Sequence, residues 1–127
     1  MAPDKPQVSF EPVNEMFEAY ANNVFYESSA WDLKLIFGQL DQRDGVKIVQ
    51  HSAITLPWPL VKLMVYWLRG QIEYQERLSG KIEISPLIIP PEIPPLTEEA
   101  RKQDPKNEVA YEIFSRTREE FLESLKK

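Results

Sequence analysis

The longest regular pattern of apolar and polar positions lies at residues 58–79, where apolar residues recur at helical spacing for about six turns. This pattern predicts a long central helix. Its apolar residues cover roughly 200° of the circumference, about twice the stripe that one neighbouring element needs. One side of this arc holds Val61, Val65, Leu68 and Ile72, and the other holds Leu60, Leu63, Trp67, Tyr74 and Leu78. We therefore expect two different surfaces to cover this helix.

Three segments before the central helix have the composition of strands. Residues 19–28 are rich in aromatic and β-branched side chains, residues 31–40 alternate between apolar and polar, and residues 46–56 end at a proline. An Asp-Gly pair at residues 44–45 predicts a tight hairpin between the second and third segments. Segments joined by so few residues have no room for a parallel crossover. The pattern therefore predicts an antiparallel meander.

The strand pattern also predicts how the sheet packs. Leu33, Leu35 and Phe37 fall on one side of the second segment, and we expect them to face the central helix. Gly38 interrupts this segment and indicates a bulge. A second glycine, at position 80, is placed to end the helix, and residues 81–84 have the composition of a short fourth strand.

A proline-rich apolar segment follows the core. It contains Ile88 and Ile89, and apolar residues of this kind favour lying against another apolar surface. Thr97 is placed to cap a short helix, and Asp104 to cap a final one. The apolar stripe of the final helix consists of Val109, Ala110, Ile113, Phe114, Thr117, Phe121 and Leu125.

The whole pattern predicts an α+β fold, in which a three- to four-stranded antiparallel meander precedes a long central helix and a C-terminal helix. Four regions follow from it: an extended N-terminal arm at 1–15, an α+β core at 16–85, the proline-rich crossover at 86–97 and a C-terminal helical extension at 98–127. We find no internal repeats.

Composition narrows the class of protein. The chain has 127 residues, of which 43% are hydrophobic and 28% charged, with a net charge of −5. Such a balance argues against binding to nucleic acid or to anionic membranes, because both need clustered Lys and Arg. Cysteine is absent, and no apolar stretch has the length of a signal peptide or a membrane span. We expect a cytoplasmic protein.

The inventory of reactive residues is poor. His51 is the only histidine, and it has no cysteine or second histidine with which to form a zinc site. Glu119, Glu120 and Glu123 have the chemistry to hold a hard cation, but the interspersed basic residues are typical of a solvated helix face. We expect no catalytic residue, no cofactor and no metal.

Two adjacent asparagines, Asn22 and Asn23, stand near the middle of an apolar segment, where an amide must be hydrogen-bonded to offset its desolvation. The structural interpretation is hydrogen bonding at the start of a strand or at a bulge. The functional alternative is a recognition site in which these amides orient a peptide or a small ligand.

Four short motifs carry a resemblance to a known family. They are YANNV at 20–24, FG at 37–38, the stretch at 57–62 that leads into the helix, and GKI at 80–82. Together they resemble a family of short prokaryotic proteins classed as a domain of unknown function. The resemblance covers about half of the chain and implies no activity.

The order of elements is also similar to that of the SecB-like export chaperones, with antiparallel strands, a long helix introduced by proline, an apolar crossover and a second helix. That resemblance implies an acidic oligomer that binds unfolded segments along apolar grooves. It concerns the fold, and a fold does not define a function.

These observations favour a non-enzymatic protein-binding or assembly module, with chaperone-like binding of unfolded segments as its sharper form. We expect a homo-oligomer, most simply a twofold dimer, with Leu63, Trp67 and Tyr74 at or near the interface and Gly70 allowing close backbone approach. The alternative is a small ligand-binding or enzymatic domain with a pocket between sheet and helix. That pocket would be bounded by Asn22, Asn23 and His51.

Overall fold

The computed structural model describes residues 5–41, 43 and 47–127. The strands are β1 (Asn23–Ser28), β2 (Asp32–Asp41) and β3 (Lys47–Pro57), and the helices are α1 (Trp58–Ser79), α2 (Glu98–Gln103) and α3 (Lys106–Ser124), with a 3₁₀ turn at Pro86–Ile88. The strands form one antiparallel sheet in the order β1-β2-β3. The predicted α+β fold with an antiparallel meander is therefore confirmed. The predicted hairpin at residues 44–45 lies outside the described residues.

The chain divides into two compact units, Met1–Gly70 and Gln71–Lys127. The first unit contains the sheet and the first part of α1. The second contains the rest of α1, the proline-rich segment, α2 and α3. The described residues before β1, from 5 to 22, form neither helix nor strand.

A β-bulge lies in the middle of the sheet. The register between β2 and β3 shifts between Phe37 and Gly38, as the glycine in this strand predicted. A Cβ atom on Gly38 would lie 2.7 Å from the backbone oxygen of Val49 and 3.1 Å from the Cα of Gln50. Only glycine fits here, because any side chain would push the two strands apart.

The β1–β2 turn also fixes the start of the central helix. The Ser29 hydroxyl accepts hydrogen bonds from the backbone N–H groups of Trp31 and Asp32, each at 3.1 Å. The backbone oxygen of Ser29 accepts a hydrogen bond from the Trp58 indole at 2.9 Å. Trp58 is the first residue of α1 and follows the last residue of β3 directly. Its side chain therefore ties the helix start to the turn.

The end of α1 is at the predicted place, because Gly80 has a φ of 93° and donates its N–H to the Glu76 carbonyl at 2.9 Å. The predicted fourth strand at 81–84 is wrong. There the Ile82 N–H donates to the Glu76 carboxylate at 3.0 Å, and the Lys81 ammonium donates to the Leu125 carbonyl. These bonds hold the segment to α1 and to Leu125, the residue that follows α3.

Very few side chains of the described residues are buried. Leu35, 9% exposed, is the only hydrophobic residue among them that reaches the buried class, and α1 has no buried residue. The elements are regular, but a core of the size that 127 residues usually form is absent from the described residues.

The prediction that Leu33, Leu35 and Phe37 face the central helix is wrong. The described strands of the sheet contact one another, and residues 58–70 of α1, which belong to the same unit, do not pack along them. The reason lies in the connection, because α1 begins at the residue after β3 and leaves no loop with which the chain turns back over the sheet.

The predicted cap at Thr97 begins α2, whereas the N-cap position of α3 is Pro105 and the predicted Asp104 lies one residue before it. The Thr97 hydroxyl accepts a hydrogen bond from the Ala100 N–H at 3.1 Å at the start of α2. The Asp104 carboxylate accepts one from the Lys106 N–H at 2.9 Å at the start of α3. Each cap satisfies a backbone N–H that has no partner inside its helix.

The proline-rich segment lies against α3 of its own chain. The Arg118 side chain, 16% exposed, donates from Nε to the backbone oxygens of Pro90 at 3.1 Å and Pro91 at 3.0 Å. These carbonyls have no helix or sheet partner, so the guanidinium supplies the donor that they lack. This contact is polar, and of the two isoleucines singled out in the segment, Ile88 is exposed and Ile89 is half-buried.

Candidate protein-binding surfaces

One face of α1 in the first unit carries exposed apolar and aromatic side chains, which we call the helix surface. It consists of Leu63, Tyr66, Trp67 and Gly70, which lie three or four residues apart and therefore share a face. Trp67 is 54% exposed, although tryptophan is usually well covered. The structure thus brings together two of the residues singled out in the sequence, Leu63 and Trp67. The third, Tyr74, is 64% exposed one turn beyond Gly70.

The other apolar side of α1 is exposed as well. Val65, Leu68 and Ile72 are each about half exposed, at 54%, 52% and 51%. The sequence analysis expected the sheet to cover this side, and that expectation is wrong for residues 58–70, which lie in the same unit as the sheet and do not pack along it. In the described residues, both sides of the predicted arc are therefore accessible.

The sheet has an apolar face of its own, which we call the sheet surface. Cross-strand partners share a face, and one row of partners consists of Tyr26, Leu35 and Ile54. The residues of the sheet surface are Val24, Tyr26, Leu33, Leu35, Phe37, Ile54 and Leu56. Tyr26 and Ile54 are exposed, so only the centre of this face is shielded from water. The sequence did not identify it as a binding surface, because the helix was expected to cover it.

Tyr66 was also missed, although the signal was present in the sequence. It lies three residues after Leu63 and four before Gly70, which is the spacing of a shared helix face. Its neighbours Lys62 and Arg69 placed it near the charged strip, so the predicted apolar arc did not include it. In the structure the Tyr66 side chain is 72% exposed.

Asn22 forms hydrogen bonds with the backbone of β2. Its side-chain oxygen accepts the Leu40 N–H at 2.8 Å, and its own N–H donates to the Gly38 carbonyl at 3.1 Å. Asn23 begins β1 as the register partner of Gly38. The structural interpretation of the asparagine pair, hydrogen bonding at a strand start beside a bulge, therefore accounts for the contacts of Asn22.

His51 has structural partners too. Its Nε2 lies 2.9 Å from the Tyr20 carbonyl, and its Nδ1 lies 2.6 Å from the Ser52 hydroxyl. A carbonyl oxygen can only accept, so Nε2 carries the proton that this hydrogen bond requires. The ring therefore links β3 to Tyr20, in the segment that precedes β1. This role uses both ring nitrogens.

A shallow cavity of about 640 Å³ lies beside Asn22, and its other described lining residues are Gln39, Leu40, Asp41, Arg43 and Val49. Asn23 and His51 are not among them. Within it Arg43 pairs with Asp41 at 3.5 Å, and the arginine side chain is 91% exposed. The three residues named for a ligand pocket therefore do not line this cavity together.

The second unit has exposed apolar residues of its own. Ile88 is exposed at the end of the 3₁₀ turn, while Ile89, the next residue, is half-buried. An apolar groove of about 350 Å³ runs between the proline-rich segment and α3, and its described lining includes Ile93, Tyr111 and Phe114. Ile88 and Ile89 are not part of that lining.

The three glutamates at the end of α3 each pair with a cation. Glu119 lies 3.4 Å from Arg118, Glu120 lies 3.7 Å from Arg116, and Glu123 lies 3.0 Å from Lys126. Over residues 5–41, 43 and 47–127, no group of three His, Asp or Glu side chains is arranged to hold a metal ion. In the same ranges, none of the helices is both long enough and apolar enough to cross a membrane.

No family model, no curated protein and no solved structure matches this chain. The resemblances to the family of unknown function and to the SecB-like chaperones rest on the sequence motifs and the order of elements alone.

Proposed function

We propose that this protein is a non-enzymatic protein-binding module that assembles with copies of itself and holds unfolded segments of other proteins. The observation that carries the proposal is the combination of regular elements with exposed apolar faces. The sheet surface, the helix surface and the opposite side of α1 all lie on hydrogen-bonded elements. Yet only one hydrophobic side chain among the described residues is buried. Apolar faces of this extent on a folded element are typical of interaction sites.

The polar groups of the chain support the same proposal. Asn22 and His51, which an enzymatic interpretation would use, are engaged in hydrogen bonds that hold the sheet together. The net charge of −5 favours partners other than nucleic acid or an anionic membrane surface. Unfolded segments are suitable partners, because their exposed apolar side chains need no matching shape beyond an accessible apolar face. We place this function in the cytoplasm, as the sequence led us to expect.

The test is a titration of a fluorescently labelled, reduced and alkylated client that cannot fold, monitored by fluorescence anisotropy. We expect a dissociation constant on the order of micromolar, and no binding of the same client in its native form. Failure to bind across several unfolded clients would reject the chaperone-like function and leave self-assembly alone.

A matched pair of variants identifies the surface that binds. Ile54→Lys places a charge on the sheet surface, while Thr55→Lys places the same charge on the next residue of β3, which points to the other face. We expect Ile54→Lys to weaken client binding by about tenfold or more and Thr55→Lys to leave it nearly unchanged. Far-UV circular dichroism on both variants shows whether the sheet is retained.

A further inference from the structure

The third strand leaves one edge of the sheet open. Among the described residues β3 pairs with β2 alone, so the backbone groups along its other side have no strand partner. The opposite edge, in β1, carries Glu27, whereas β3 has no charged residue after Lys47. A charge protects an edge strand from further pairing, and this edge lacks one. Its N–H and C=O groups also define the occupant, because only an extended chain can hydrogen-bond along such a row.

Residues 7–11, which we call the arm segment, have the sequence of a strand. Val8 and Phe10 alternate with polar residues, which is the pattern of a strand with one apolar face. The arm segment forms neither helix nor strand and has no backbone–backbone hydrogen bond with another described residue. Residues 81–84 alternate in the same way, but they are already hydrogen-bonded to α1 and to Leu125. The arm segment therefore has the sequence of a strand and no described partner.

We infer that the arm segment of one chain adds to the β3 edge of a second copy as an antiparallel strand. When Phe10 is placed opposite Ile54, antiparallel pairing sets Val8 opposite Leu56. These two apolar pairs lie on the sheet surface and extend it by one strand, and cross-strand pairs of this kind stabilise a sheet. The inference rests on the proposed function, since it names the contact through which copies assemble.

The same register also suits the other face of the sheet and the end of the added strand. Ser9 lies opposite Thr55, away from the sheet surface, and hydroxyl pairs of this kind favour strand pairing. Pro12 falls opposite Ser52, where the regular part of β3 ends at the bulge. Proline is tolerated at a strand end because it has no N–H to donate to the ladder. A parallel strand in the same place would lose the second apolar pair, which favours the antiparallel direction.

The edge that accepts the arm segment belongs to another copy. Within one chain, the described residues before β1 do not pair with β3, and β1 lies at the opposite edge of the sheet from β3. The Tyr20 carbonyl is held by the His51 ring, so residues 12–19 connect the arm segment to this fixed point. This connection spans up to about 29 Å when extended, several times the roughly 5 Å between neighbouring strands. A twofold pair can therefore exchange arm segments, each copy donating one strand and accepting one.

The first test is disulfide cross-linking, which is specific because the chain has no cysteine. Ser9→Cys and Thr55→Cys are placed in separate chains, only one of which carries an affinity tag, and the mixture is mildly oxidised. Opposite residues of antiparallel strands have Cα atoms about 4.5–5.5 Å apart, within the range that a disulfide can join. The control mixture pairs Ser9→Cys with Glu27→Cys, because Glu27, Lys34 and Thr55 form one cross-strand row and Glu27 lies at the opposite edge.

We expect at least about tenfold more linked heterodimer from the Thr55→Cys mixture than from the Glu27→Cys mixture, because paired residues meet at an effective concentration of about millimolar. Equal yields from the two mixtures would overturn the inference. A chain that carries both Ser9→Cys and Thr55→Cys tests pairing within one copy. A disulfide that closes only inside that chain, with no linked heterodimer from the mixture, would also overturn the inference and place the arm segment on its own sheet.

The second test is sedimentation velocity over about 1–100 µM protein, on the intact chain, on Phe10→Glu and on the matched control Ser9→Glu. Phe10→Glu sets a carboxylate opposite Ile54 on the sheet surface, whereas Ser9→Glu sets one on the other face. We expect Phe10→Glu to raise the dissociation constant of the oligomer at least about tenfold, and Ser9→Glu to change it less than about threefold. Both positions lie outside the described helices and strands, and far-UV circular dichroism checks that the sheet is retained.

The two tests and the client titration keep the proposals distinguishable. An oligomer that Phe10→Glu does not weaken, and that gives no excess of linked heterodimer, would reject the exchange of arm segments and retain self-assembly. An intact protein that is monomeric throughout the concentration range would reject both. A monomer that still binds unfolded clients would retain the client-binding part of the proposed function.

Discussion

Leu35→Ala is the most direct test of how the sheet is stabilised, because Leu35 is the one buried hydrophobic residue described, at 9% exposure. The substitution removes three carbons, which at about 0.8 kcal/mol for each buried group amounts to about 2.4 kcal/mol of transfer free energy. Core cavities usually raise such losses to about 2–5 kcal/mol. The flanking partners Tyr26 and Ile54 are exposed, so water enters part of the gap and the expected loss is at the low end, about 2–3 kcal/mol.

Ile54→Ala is the matched control. It removes the same number of carbons from the register partner of Leu35, but Ile54 is 53% exposed. We expect Ile54→Ala to lower the free energy of unfolding by about 1.2 kcal/mol, half the transfer free energy of Leu35→Ala. Urea unfolding monitored by circular dichroism, at one fixed protein concentration because association adds to stability, gives both values.

Two results would change this account of the sheet. A loss below about 0.5 kcal/mol for Leu35→Ala would mean that Leu35 lies at a surface position in solution. Equal losses for Leu35→Ala and Ile54→Ala would mean that Ile54 is also buried in solution, and that a partner already covers the sheet surface.

Three further substitutions test local features, each by urea unfolding. Gly38→Ala should destabilise the protein by about 1–3 kcal/mol, because its Cβ would lie 2.7 Å from the Val49 oxygen; an unchanged midpoint would show that the bulge relaxes. Asn22→Ala should cost about 0.5–1.5 kcal/mol through loss of the acceptor for the Leu40 N–H, and Asn22→Asp, which keeps that acceptor, should recover most of the loss. Gly80→Ala should cost about 1–2 kcal/mol because its φ of 93° is unfavourable for residues with a Cβ; a stabilising effect would mean that α1 ends differently in solution.

The sequence predicted the regular elements well because their signals are local. The helical spacing of the apolar residues and the glycine at position 80 placed α1 at residues 58–79, and the structure shows the same bounds. The asparagine pair was correctly associated with a strand start. The strand itself begins at Asn23, later than the predicted residue 19, because the apolar character of residues 19–22 does not reveal which backbone groups pair with β2.

Packing was predicted less well because periodicity shows which side chains avoid water, not which surface covers them. The apolar arc of α1 indicated two covering surfaces, and the sheet was assigned to one of them. Within the first unit, the direct junction of β3 and α1 leaves no loop with which residues 58–70 turn back over the strands. For the same reason, the sequence did not identify Tyr66 or the sheet surface as parts of the candidate site.

The strand order has a consequence for synthesis of the chain. Each strand pairs only with its neighbour in sequence, so every strand of the sheet has been synthesised once Pro57 has left the ribosome. At that point the later part of residues 58–127 has still to be translated. Throughout this interval the nascent sheet displays a β3 edge with no charged side chain between Lys47 and Pro57. An uncharged edge is a template for strand pairing, so neighbouring ribosomes on one message would bring such edges together before either chain is complete.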